Sequence, residues 1–156
     1  MAGFPGCIGS TDATRVLLEC CMSHHSNIHK GFKLHRPSRG FNVTSNHGRK
    51  VLSSTKGFPA TWNDKSIVLF DDLIRSVHDG ELFQDFEFTL LEYNEQGMIV
   101  ERTYSGVWFI ADNGYLPWST TVPPYKHATS YKHIRFSEWL ESMRKDIECT
   151  FGIVKK

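Results

Sequence analysis

Five apolar residues in a row, Val107-Trp108-Phe109-Ile110-Ala111, run straight into Asp112-Asn113-Gly114. A strand that is apolar at every position has no face to offer water, so it belongs inside a sheet covered on both sides. The Asp-Asn-Gly that follows is a turn. A charge at the end of such a strand is expelled from the core unless the strand end opens into a site. Asn63 or Asp64 caps one predicted helix, whose apolar positions Ile67, Val68, Phe70, Leu73, Ile74 and Val77 recur at helical spacing and which stops at Gly80. A second helix is predicted from about Ser137 to Val154, with Phe136, Trp139, Leu140, Met143, Ile147, Phe151 and Val154 along its apolar seam.

The other strands follow from alternation and turn chemistry. Phe4 to Thr14 reads as a buried strand, residues 15–21 as apolar enough to pack, and residues 22–40 as an exposed loop. Phe41–Ser45 and Lys50–Thr55 form a predicted hairpin around Asn46-His47-Gly48, closed by Gly57-Phe58-Pro59. Phe86–Tyr93 and Met98–Tyr104 form another around Asn94-Glu95-Gln96-Gly97, and Ser119–Val122 is one more short strand. The 156 residues suit one domain, and strands mixed with helices make it α/β.

Composition narrows the function. Hydrophobic residues at 40% and charged residues at 22% indicate a globular chain. No apolar run reaches the roughly 18 residues of a membrane span, and Met1–Ser10 lacks the pattern of a signal peptide. Without a signal peptide the Asn42-Val43-Thr44 sequon carries little weight. Lys and Arg number 18 against 17 Asp and Glu, so nucleic-acid binding would rest on a local site rather than on overall charge. Cys7, Cys20, Cys21 and Cys149 contain no C-x-x-C pair, which argues against a zinc ribbon and for reduced, structural thiols.

Three acids stand at pointed places. Asp12 closes the first predicted strand, Asp112 closes the most apolar one, and Glu148 lies one residue past Ile147 at the border of the last helix's seam. Ligand sites in α/β sheets gather at the carboxyl ends of strands, where Asp12 and Asp112 meet if their strands are neighbours. Clustered carboxylates call for a cation, and oxygen-only ligands select hard ions such as Mg²⁺ or Mn²⁺. Two such ions can activate a water and stabilise the leaving oxygen of a phosphodiester. The plain alternative is a turn residue at each strand end and a solvated acid on the helix.

Phe4-Pro5-Gly6-Cys7-Ile8-Gly9-Ser10-Thr11-Asp12-Ala13-Thr14, then Ala111-Asp112-Asn113-Gly114-Tyr115 with Trp118-Ser119-Thr120-Thr121-Val122-Pro123-Pro124-Tyr125, then Ile147-Glu148-Cys149-Thr150-Phe151-Gly152-Ile153-Val154-Lys155 resemble the catalytic motifs of PIF/Harbinger-type DDE transposases, in the plant-transposon-protein branch. Gly57-Phe58-Pro59-Ala60-Thr61-Trp62-Asn63-Asp64-Lys65 is similar to that family's segment between its first two acids, and the 35 residues between Asp112 and Glu148 match DDE spacing. The resemblance implies an RNase H-like mixed sheet flanked by helices, with the 86–104 hairpin inserted before the fourth core strand. It implies that Asp12, Asp112 and Glu148 are the catalytic and metal-binding residues, holding two Mg²⁺ or Mn²⁺ ions. The implied activity is metal-dependent cleavage of DNA phosphodiesters followed by strand transfer. The implied partners are transposon ends, target DNA and a separate Myb-like DNA-binding protein, and the implied site of action is the nucleus. Family members carry further sequence on both sides of these motifs, so residues 1–156 are expected to be a catalytic core truncated at both ends. The alternative is an inactive relic, or a domesticated protein that binds DNA or protein.

Other residues carry two readings each. Arg144 and Lys145 lie four and three residues before Glu148, near its face, where a cation either binds the scissile phosphate or pairs with the carboxylate. Trp118 and Tyr115 either stack on an extruded base or fill the core, the more frequent fate. Asp64 is favoured as a helix cap over a metal ligand, and Asp71, Asp72 and Asp79 as solvated charges or helix-dipole partners. His24, His25 and His29 read as a solvated loop: His25 and His29 have zinc-ligand spacing, but no Glu accompanies them.

Overall fold

In the computed structural model, which describes residues 3–31 and 36–155, the apolar run becomes strand β7 (Trp108–Ile110). It lies between β1 (Cys7–Leu17) and β8 (Thr121–Val122), parallel to both. On the far side of β1, β2 (Ser38–Ser45) and β3 (Val51–Ser54) continue the sheet antiparallel, in the order β3-β2-β1-β7-β8. A two-residue strand, β4 (Phe58–Pro59), also pairs with β2. The result is a mixed sheet whose direction changes at β1.

Alternation along β7 feeds two separate cores. Phe109 turns one way, with Val107 and Ala111, and packs on Val68, Ile74 and Val77. Those residues belong to two short helices, α2 (Asp64–Val68) and α3 (Asp72–His78), which follow a single-turn helix α1 (Ser26–His29) in the chain. Ile110 turns the other way, joining Cys7 and Leu140 of α4 (Tyr131–Val154), with Phe136 and Met143 packed beside them. A strand apolar on both faces thus demands a helical layer on each side. The hairpin β5 (Glu87–Tyr93) and β6 (Ile99–Ser105) forms its own two-stranded sheet just before β7.

Several sequence expectations need correction. β1 does not end near Thr14; it runs to Leu17, because β2 offers backbone partners as far as the Leu17–Ser38 pair. Residues 15–21 pack only in part: Val16 and Leu17 are exposed, whereas Arg15, Leu18 and Cys21 are half-buried. Residues 22–40 are not one loop: Ser23–His25 is a 3-10 turn, α1 follows, and Ser38–Gly40 begin β2. The single helix expected from Asn63 or Asp64 is two. Asn63 caps α2 by accepting from Ser66 N, and the chain breaks over 69–71 because Asp71 accepts from Ile74 N and starts α3 afresh.

α4 begins at Tyr131, six residues early, because Ser130 caps it through His133 N. Tyr131 and Ile134 of its first turns are exposed, so the apolar seam does not mark that end. Trp139 and Val154, assigned to the seam by spacing, are also exposed. The seam holds at Phe136, Leu140, Met143 and Ile147. No helix among the described residues is long and apolar enough to cross a membrane.

Leu140 is fully buried and Ile153 is 64% exposed on the same helix. Leu140→Ala should therefore destabilise the chain by about 2–5 kcal/mol in urea unfolding, and Ile153→Ala by less than about 0.5 kcal/mol. Equal effects would mean that α4 does not dock through this seam.

Candidate active site

The parallel pairing of β1 and β7 determines where the first two acids lie. Ser10 pairs with Ile110, and two residues past that pair come Asp12, still in β1, and Asp112, just beyond β7. Asp12 is not at the end of its strand, as the sequence suggested. It stands where β1 loses β7 as a partner while keeping β2, opposite Val43. β7 ends at Ile110, and Asp112 turns the chain there, its carboxylate accepting from Gly114 N at 2.5 Å. A Cβ on Gly114 would lie 2.8 Å from that same oxygen, so a larger residue there would displace the Asp112 carboxylate.

Asp12 is 18% exposed, and one of its oxygens accepts from Ala13 N at 2.8 Å. Burial pushes this carboxyl from its ordinary 3.8 up to about 6; the Ala13 amide and Arg144 oppose the rise, while Asp112 and Asp64 add to it. The acids are thus near enough to repel. Arg144 on α4 answers them: one guanidinium nitrogen lies 3.3 Å from Asp12, a second 3.2 Å from Glu148, and Nε 3.2 Å from Glu141. Burial would lower the guanidinium's pKa, but Glu141, Asp12 and Glu148 more than offset that and raise it.

Glu148 itself is 52% exposed and is linked to Asp12 through Arg144. Among the described residues no three His, Cys, Asp or Glu side chains stand close enough to hold an ion. All the donors of this cluster are oxygens, which suits a hard divalent cation. Arg144 provides the positive charge that such an ion would bring.

Beneath the acids lies a buried polar knot that sequence reasoning missed. Asp71, read as a solvated charge, is fully buried. It accepts from Asn42 Nδ2 at 2.7 Å, and Asn42 Nδ2 also lies 3.0 Å from Thr11 Oγ1. Thr44 donates to Thr11 at 3.2 Å, and Tyr115 donates to Asn42 Oδ1 at 2.5 Å. Burial first, then the Asp12 charge, push the Tyr115 phenol well above its ordinary value. The knot ties β1, β2, the start of α3 and the turn after Asp112 into one unit, so Asp12 and Asp112 sit on a single rigid base. The available signal was the Asp71-Asp72 doublet before Leu73-Ile74: an acid three residues before a buried Ile74 is placed to cap.

Asp64 is not the cap, which is Asn63; it pairs with Arg15 at 3.6 Å, and Arg15 also donates to Trp62 O at 3.0 Å. Lys145 is exposed. Tyr115 is buried, whereas Trp118 is partly buried, packing against the α2–α3 core and stacking flat on His78 at 4.5 Å. His24 and His25 are exposed, but His29 is buried, so the three do not form a uniformly solvated cluster. An apolar groove of about 950 Å³ between the β5–β6 hairpin and the body includes Phe88, Tyr104, Trp108 and Trp139; it opens at the amino ends of β1 and β7, away from the acids.

The fold and its acids define a mixed α/β domain with one carboxylate, Asp12, inside β1 where its pairing with β7 stops, and another, Asp112, just past the end of β7. The whole chain, residues 1–156, matches the family described as plant transposon protein, and it belongs to that family. No curated protein and no solved structure matches it.

A pH dependence follows from Asp12. The folded carboxyl keeps its proton up to about pH 6, whereas the unfolded one releases it near 3.8. Between those values the folded state binds more protons, so stability falls as pH rises through this window. Urea unfolding of the metal-free protein at successive pH values should show that decline, and Asp12→Asn should flatten it. An unchanged slope in the variant would assign the titration to another group.

Proposed function

We propose that this chain is the catalytic core of a DDE-type transposase of the PIF/Harbinger kind, a metal-dependent nuclease that cuts DNA phosphodiesters and then joins a freed 3′-hydroxyl to target DNA. The observation that carries the reading is the register of β1 against β7, which aligns Asp12 with Asp112, together with the Arg144 link from Asp12 to Glu148. The five-strand path β3-β2-β1-β7-β8 with helices on both faces supports an RNase H-like fold. The separate β5–β6 sheet immediately before β7 then reads as an insertion ahead of the fourth core strand.

In this reading Asp12, Asp112 and Glu148 hold Mg²⁺ or Mn²⁺. Such ions supply an activated water and stabilise the leaving oxygen. The protein's part is to keep the carboxylates aligned on the buried knot and partly shielded from water, where their charge acts strongly. Arg144 has the fork geometry that grips a phosphate, and exposed Lys145 adds charge beside it. Partners in this reading are transposon ends, target DNA and a Myb-like protein that brings the nuclease to DNA in the nucleus. A second reading, a relic that binds DNA or protein without cutting, has one observation behind it: Arg144 pairs with both Asp12 and Glu148.

A nicking assay on supercoiled DNA with Mg²⁺ tests the proposal. Asp12→Asn should reduce cutting by more than about a hundredfold, since changes to groups merely supporting metal ligands cost about 10–100-fold. Cutting that survives Asp12→Asn in a folded protein would end the nuclease assignment to this site.

A further inference from the structure

Arg144 does more than balance charge. Its guanidinium spans Asp12 and Glu148, carboxylates contributed by different elements, and a third carboxylate, Glu141, holds its Nε. Arg144 and Asp12 are each only 18% exposed, so their contact is made with little solvent screening. A divalent ion binding the same carboxylates would meet a fixed positive charge already in their midst. Glu141, one turn back on α4 and 47% exposed, offers the displaced arginine a carboxylate outside the Asp12–Glu148 pair.

We infer that Arg144 is an internal counter-ion that closes the acid site against divalent metal, and that a DNA phosphate opens it by drawing the guanidinium off Asp12 and Glu148. The inference rests on the proposed metal site at Asp12. It makes metal and DNA binding mutually reinforcing, because each favours the state in which Arg144 has left the two carboxylates. An arginine needed only to hold α4 in place would behave oppositely, since its removal would loosen the site and weaken metal binding.

Calorimetric titration of Mn²⁺ into the full chain separates these cases. Arg144→Gln should bind Mn²⁺ at least about tenfold more tightly than the wild type, the size of effect expected from removing a like charge within a few ångströms. A short DNA duplex should tighten Mn²⁺ binding to the wild type and leave Arg144→Gln unchanged. Circular dichroism identifies an unfolded variant; in that case Arg144→Lys replaces it, and should show a smaller gain because a single ammonium cannot span both carboxylates. Equal or weaker Mn²⁺ binding in the folded variants, with binding still lost in Asp12→Asn, overturns the counter-ion and leaves the site standing. Mn²⁺ binding indifferent to Asp12→Asn overturns the site itself. Tighter binding in Arg144→Gln without coupling to DNA in the wild type overturns the opening by phosphate.

Discussion

A carboxylate carried into a half-buried place beside another acid is costly to ionise unless a positive group reaches it. That constraint organises this molecule. The parallel register of β1 and β7 brings Asp12 alongside Asp112, and the low exposure of Asp12 makes its charge costly. α4 supplies the remedy by crossing the same face with Arg144. Docking of the helix and charge balance at the strand ends are therefore one event: Leu140 and Ile147 bury the seam, and Arg144, between them in sequence, reaches the acid. A shift of α4 along the sheet would break both.

The opposite face answers a different requirement. There the sheet meets α2 and α3 through an apolar patch at β7 and a polar knot at β1 and β2. Asn42, Thr11, Thr44, Asp71 and Tyr115 are all buried, and their hydrogen bonds join elements distant in sequence. A satisfied buried network of this kind holds one arrangement, because any slip leaves a polar group unpaired in a low-dielectric place. Thr11 and Tyr115 flank the two aspartates, so the rigidity of this layer passes directly to the acids above it. Asn42 is also the first residue of a glycosylation triplet, and its burial in this knot makes it unsuitable as an acceptor.

Much of this was legible in the sequence. The apolar run 107–111, the two hairpins and the seam at Leu140, Met143 and Ile147 are visible because burial leaves a periodic mark on residue type. Asp112 was readable because a charge ending an all-apolar strand is a local contradiction. Three features escaped for a common reason. The capping at Asp71 that divides one helix into two, the early start of α4 at Ser130, and the extension of β1 to Leu17 depend on hydrogen bonds that the apolar pattern does not register. Trp139 shows the converse: its spacing matched the seam, yet it lies at the open groove beside the β5–β6 hairpin and stays exposed.

The sequence by itself determined the class of fold, a sheet wanting cover on two faces, and the identities of the acids worth watching. It also placed Arg144 and Glu148 four residues apart, which on any helix makes them neighbours. Only the tertiary structure decided that Asp12 stands beside Asp112, that Arg144 turns to Asp12 as well as to Glu148, and that Asp71 is interior while Asp72 is not. The physical reason is range. Periodicity and capping act over a few residues, whereas the Asp12–Arg144 pair spans 132 positions and exists only because sheet register and helix docking bring its two ends together.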